Sequence, residues 1–209
     1  MKHNATNNSL WKTAFFMCGA LAFTSMFTAC SDDDPKKENT PELITKATLT
    51  FTPSGGGTAV VATAEDPDGE GVQDLTVEGP IDLATNTSYT LTIELINGLA
   101  KPTDDEYDIT AEVQEEAHEH MFFFGWTNNV FSNPAGNGNI DARADAVNYN
   151  DEDDNGLPLG LETNWTSAAA TASGTFTVML KHQPDLKSET STSATGETDL
   201  DITFTINVD

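Results

Sequence analysis

Calcium takes roughly six to eight hard oxygens, and the stretch Asn148 to Glu162 (NYNDEDDNGLPLGLE) offers oxygens at a spacing suited to it. With Asp151 as position one, Asp153 and Asn155 stand at three and five, Gly156 at the sharp bend, and Glu162 at twelve. Leu157 would add its carbonyl at position seven, and Glu162 would chelate through both carboxylate oxygens. Two features depart from a helix–loop–helix calcium site. Pro158, at the eighth position, has no N–H to pair with a sister loop, and the flanks do not read as helices. The alternative is a polar hairpin, in which Asn155-Gly156 turns Val147–Tyr149 back onto Leu159–Leu161. A lone calcium loop of this kind would bind weakly, on the order of 10⁻⁴–10⁻³ M.

A second constellation is built on imidazole. Beyond residue 29 the histidines are His118, His120 and His182. If 118–124 is a strand, His118 and His120 project from one face in line with Phe122 and Phe124. His182 continues the Phe176, Val178, Leu180 face. Antiparallel pairing would bring the three rings to one rim, with Glu115, Glu116 or Glu119 beside them, a donor set that suits zinc or another transition ion. The alternative is a set of hydrogen-bonded histidines that hold nothing. Asp66-Pro67-Asp68-Gly69-Glu70-Gly71 has oxygens and glycines but lacks a distal chelating acid, and reads as a turn. For catalysis the chain offers no G-x-S-x-G, no Cys–His pair, no H-E-x-x-H and no phosphate loop. No catalytic residue is assigned, and a non-enzymatic role is expected.

The elements that must position these groups carry the period of strands. Leu200, Ile202, Phe204, Ile206 and Val208 alternate with polar residues, as do Tyr89, Leu91, Ile93 and Leu95, and Phe176, Val178 and Leu180. Further strand candidates are 47–52, 58–63, 109–113 and 120–125, with one or two helical turns over 140–147. Pro53-Ser54-Gly55-Gly56-Gly57, Asp68-Gly69, Asn97-Gly98 and Asn155-Gly156 punctuate them. Strands apolar on one face and polar on the other imply antiparallel sheets. The expected fold is all-β, an antiparallel immunoglobulin-like β-sandwich without that family's Cys–Trp–Cys core.

The N-terminus reads as a processing signal. Lys2 and Lys12 precede the apolar run Ala14 to Phe27, which at 14 residues is shorter than a bilayer span of about 18 or more. It ends in Phe27-Thr28-Ala29-Cys30, followed by Ser31-Asp32-Asp33-Asp34. This resembles a bacterial lipoprotein signal, which implies removal of 1–29 and lipidation of Cys30. The acidic run resembles the export tag of surface lipoproteins in some Gram-negative bacteria. An ordinary secretory peptide with a free Cys30 is the alternative. Residues 30–44 read as a polar tether and 45–209 as one domain of about 165 residues, enough for a real core. Cys18 leaves with the signal and Cys30 takes the lipid, so no disulfide is expected. Two or more acyl chains, at about 0.8 kcal/mol per buried CH₂, give stable anchoring. After processing, 7 basic residues face 34 acidic ones, which disfavours nucleic acid and anionic lipid as partners and favours cations or plain solubility.

Five stretches together resemble a family of small exported bacterial lipoproteins: Leu49–Gly57, Asp108–Glu116 leading into Glu119-His120, Asp151–Leu161, Val178–Pro184 and Gly196–Val208. Such proteins are catalogued under the type 1 periplasmic binding fold superfamily. That label implies a two-lobed α/β architecture, whereas the strand period here implies all-β. The family's pattern matches His120 and His182 and has an acid where this chain has His118. The class of exported lipoproteins further implies an outer-membrane location, at the cell surface or alternatively on the periplasmic face, and makes a TonB-dependent receptor a candidate partner. The role expected is a lipid-anchored binding protein for a cation or metal-bearing ligand, or a structural or adhesive module with no small-molecule ligand.

Overall fold

Alternation of apolar and polar residues is realised as two β-sheets in the computed structural model, which describes residues 41–66, 68–69, 75–141 and 145–209. In chain order the strands are β1 (Lys46–Pro53), β2 (Val60–Glu65), β3 (Thr76–Glu78), β4 (Ile81–Leu83) and β5 (Ser88–Ile96). They continue as β6 (His120–Trp126), β7 (Phe131–Asn133), β8 (Glu162–Ser167), β9 (Ala172–His182) and β10 (Glu197–Val208), with one α-helix, α1 (Ile109–Glu115). One sheet runs β3-β2-β1-β5-β8-β7 and the other β4-β10-β9-β6. About 45% of the chain is strand and 6% helix, so the fold is mostly β with antiparallel sheets; among the described strands only β4 pairs in parallel, with β10. No helix among the described residues is long and apolar enough to cross a membrane. Residues 1–40, which include the expected signal peptide and Cys30, lie outside the described residues. Packing begins ahead of residue 45: Ile44 is already buried in the core, and the Glu42 N–H donates to Asp199 Oδ1 at 3.3 Å.

The two sheets close on one apolar cluster. Ala47, Leu49 and Phe51 of β1 face inward, and Lys46, Thr48 and Thr50 do not. Across the gap Phe51 meets Phe176 edge-on at 5.9 Å between centroids, and Trp165 of β8 meets Phe176 at 5.2 Å. Each side chain so buried contributes about 1.5–3 kcal/mol. At the outer edge of the second sheet, β6 is covered on both faces. Its free backbone groups bond to a long connection: Phe124 N–H donates to Asn139 Oδ1, Asn139 N–H to Phe124 O, and Phe122 N–H to Leu159 O. That cover protects an edge that would otherwise pair with another chain. It also requires a glycine at 138, where a Cβ would lie 2.0 Å from Phe124 O and φ is +95°.

Two expected elements differ. The stretch 109–113 is helix rather than strand. Asp108 Oδ1 accepts the Ala111 N–H at 3.1 Å as an N-cap, and Ile109 and Val113, four residues apart, bury one face. Thr110 Oγ1 accepts from Leu95 N–H at 2.7 Å and donates to Leu95 O, fastening α1 to the end of β5. The described part of 140–147 is non-helical, and 142–144 lies outside the described residues.

Candidate metal centre

Four elements converge where α1 ends. Glu116 is its C-cap residue, and four residues later the chain enters β6 at His120. His120 lies directly opposite His182, the last residue of β9. Their rings stack, with centroids 4.5 Å apart and planes 6° from parallel. Both residues are buried, His120 completely. On β10 the register slips between Thr198 and Leu200. That bulge turns Asp199, which strict alternation would aim at solvent, into the interior; Asp199 is 1% exposed.

Each imidazole faces a carboxylate with one nitrogen. His120 Nε2 lies 3.5 Å from Asp199 Oδ2, and His182 Nε2 lies 3.3 Å from Glu119 Oε2. The first distance is an ion-pair contact too long for a hydrogen bond, and both of its atoms lack a hydrogen-bond partner. On the other side His120 Nδ1 is 3.2 Å from the Glu116 carbonyl oxygen, whereas the buried Nδ1 of His182 has no hydrogen-bond partner. Buried polar atoms left unpaired cost about 1–3 kcal/mol each. One donor atom from each of Glu116, His120 and His182 lies within 4.8 Å of the other two. Glu116 also forms a second group on the same criterion with Glu42 and Glu112.

His118 does not join the pair. The strand starts at His120, so His118 sits in the preceding turn, its side chain 57% exposed and 3.3 Å from Glu119 Oε1. It faces instead an acidic cleft of about 500 Å³ that Asp151 and Glu152 also line.

The loop from Asp151 to Glu162 is knitted to itself. Isolated bridges join Tyr149 to Thr163 and Glu152 to Pro158, so its arms run side by side, as in a hairpin. Asp151 accepts the Gly160 N–H on Oδ1 at 2.8 Å and the Glu162 N–H on Oδ2 at 3.1 Å. Asp153 Oδ1 accepts the N–H groups of Asn155 and Leu157. The Leu157 carbonyl accepts the Asp153 N–H, and Glu162 Oε1 accepts Asn150 Nδ2. Asn155 is exposed. The remaining oxygen, Asp153 Oδ2, has a cation beside it: Lys187 Nζ at 3.1 Å, both side chains buried. Lys187 Nζ also donates to the Ala117 carbonyl at 2.7 Å. Burial pushes the Lys187 ammonium below its ordinary pKa, against the pull of Asp153. At Asp153 burial acts upward but is outweighed by the Leu157 N–H, Lys187 and the Asn155 N–H, so its carboxyl falls below the ordinary value. A calcium ion at Asp153 would compete with the Lys187 ammonium for the same carboxylate.

The two sequence constellations thus end differently. Most oxygens at 151–162 are together but engaged, and His120 and His182 are together, each with one ring nitrogen that has no hydrogen-bond partner. Glu116 and Glu119 were named among the acids near the histidines. Asp199 and Lys187 were not, and only Lys187 left a trace, as one of the few basic residues in an acidic chain. Comparison with protein-family models, curated proteins and solved structures finds no match.

Proposed function

We propose that the chain is a lipid-anchored, non-catalytic binding protein of the outer membrane, and that it captures a cation or metal-bearing ligand at the rim where α1, β6 and β9 meet. The two facing sheets are read as an immunoglobulin-like β-sandwich that serves as the rigid frame. The single observation that supports the binding role is the buried His120–His182 stack with Glu116 beside it and one nitrogen of each ring without a hydrogen-bond partner. A fold that only needed filling would place apolar side chains there, as β6 does at Phe122 and Phe124. The anchor is supported by Cys30 in its small-residue context and by the acidic tether.

The structural-module reading has one observation of its own. The Asp151–Glu162 loop and Lys187 form a brace in which Asp151 and Asp153 bind the loop's own amides and Lys187 supplies the charge beside Asp153, an arrangement that stiffens a surface. Metal content separates the two. Protein purified from its native envelope is expected to carry, or to take up to saturation, one cation per chain. Absence of any saturable binding of Ca²⁺, Zn²⁺ or haem would leave the structural module. Labelled palmitate should enter the protein and be lost in Cys30→Ala; unchanged labelling would remove the anchor.

A further inference from the structure

Which ion suits the rim follows from its donors. We propose that Glu116, His120 and His182 together hold one borderline divalent transition ion of the Zn²⁺ class, with Asp199 and Glu119 as the positioning residues for the two rings. This rests on the binding role above and names its ligand. Two imidazoles and one carboxylate suit zinc, nickel or copper. They are a poor shell for calcium, which needs about six oxygens.

The spacing is close to what such an ion requires. Donors held at about 2.0–2.1 Å in a tetrahedron lie about 3.4 Å apart. The three here fall within 4.8 Å, so they close by at most about 1.4 Å on binding. The rings cannot stay as they are: parallel planes at a 4.5 Å centroid separation cannot both contain one ion. His182 is the ring able to tilt, because its Nδ1 has no hydrogen bond and its Nε2 keeps one contact of 3.3 Å. Metal-bound histidines commonly donate their second N–H to a carboxylate, which fixes the ring and strengthens the ligand. Nε2 of each ring already faces one, Asp199 for His120 and Glu119 for His182. The ion then binds on the Nδ1 side, toward Glu116, replacing the 3.2 Å contact of His120 Nδ1 with the Glu116 carbonyl. Charge favours this. Glu116, Glu119 and Asp199 stand beside the rings, and the Lys181 ammonium, bonded to Thr198 Oγ1 at 2.7 Å, offsets part of the Asp199 charge.

Full-length protein in detergent, stripped by chelator, is titrated calorimetrically with Zn²⁺, Co²⁺ and Ca²⁺, and Co²⁺ loading is followed by visible absorption. One Zn²⁺ per chain is expected, with intense ligand-field bands for Co²⁺. Glu116→Gln and His182→Gln should each abolish saturable Zn²⁺ binding. Asp199→Asn should retain one ion, weaken it about 10–100-fold and shift the Co²⁺ bands. Glu116 lies at the end of a short helix and is half-buried, so Glu116→Gln with an unchanged circular dichroism spectrum keeps the test independent of folding. Zn²⁺ binding undiminished in both Gln variants overturns the proposal. Saturable Ca²⁺ binding without Zn²⁺ overturns it too, while leaving the broader binding role intact. Binding of no cation overturns both.

Discussion

Replacing Lys187 with methionine tests whether the ammonium is the cation around which the 151–162 loop is built. The substitution keeps an unbranched stem, shorter only by the terminal nitrogen, and removes the charge. Asp153 Oδ1 would retain the N–H groups of Asn155 and Leu157, but Oδ2 would lose the cation 3.1 Å from it, out of water. The Ala117 carbonyl would lose its 2.7 Å donor as well. Breaking a buried pair by removing one partner costs about 3–5 kcal/mol, because the other charge stays buried. That is a large part of a typical domain stability of about 5–15 kcal/mol. At about 2–4 °C per kcal/mol for a domain of this size, the melting temperature should fall by about 6–20 °C. Urea unfolding should show a lower midpoint with an unchanged m-value. Asp153→Asn combined with Lys187→Met should recover part of the loss, since no unpaired charge is left. A cost below about 1 kcal/mol, the worth of an exposed pair, or a double variant no better than the sum of the singles, would refute the reasoning.

Acid should act through the same residue. The Asp153 carboxyl is held below its ordinary 3.8, so it contributes stability that is present above 3.8 and is lost as pH falls through its lower folded-state value. Stability measured from pH 5 downward should therefore fall more steeply in the wild type than in Asp153→Asn; parallel curves would contradict this. Tyr149→Phe should cost about 1–3 kcal/mol for each group it strands, since the hydroxyl donates to Phe122 O at 2.7 Å and accepts from Asn139 Nδ2 at 2.8 Å. Thermal melts read this directly, and a neutral effect would mean the β6 edge cover is not held there. Calcium offers a last check. A loop site with a Kd near 10⁻³ M would add about 1.4 kcal/mol at tenfold excess. With the oxygens of Asp151 and Asp153 engaged, no such shift is expected, and one that vanished in Asp151→Asn would restore the calcium loop.

Strands were legible where one face is apolar by residue type. β1, β5, β9 and β10 each place Leu, Ile, Val or Phe at alternate positions, and that pattern survives translation into burial. β8 was not legible, because the residues it turns inward are Thr163, Trp165 and Ser167, two of them polar by type. Their burial becomes tolerable only through partners that folding supplies: Trp165 Nε1 donates to Thr163 Oγ1, and Ser167 Oγ donates to Ala84 O. Strands of three residues, such as β3, β4 and β7, are too short to carry a period at all. Ile109, Ala111 and Val113 fit period two, while Ile109 and Val113 alone fit a helical spacing of four. The Asp108 cap, which decides between them, was the signal to weigh.

The candidate site divides along the same line. That His120 and His182 share a face follows from alternation, and that they meet follows from antiparallel pairing, so both could be read in advance. His118 could not be placed, because it depended on whether the strand began two residues earlier. Asp199 is invisible to alternation, since only the bulge turns it inward. The acidic loop is the sharper case. Short side-chain oxygens at alternate positions around an Asn-Gly bend are what a loop needs to wrap an ion, and equally what it needs to satisfy its own amides. The sequence pattern is the same for both, and the difference lies in where positive charge comes from. Here Lys187, far along the chain from Asp153, brings that charge from within. At the histidine rim Lys181 donates to Thr198 Oγ1 and is drawn to Asp199, while the buried Nδ1 of His182 is a donor atom with no hydrogen-bond partner. That contrast is the physical reason for placing an ion beside Glu116, His120 and His182 rather than in the loop.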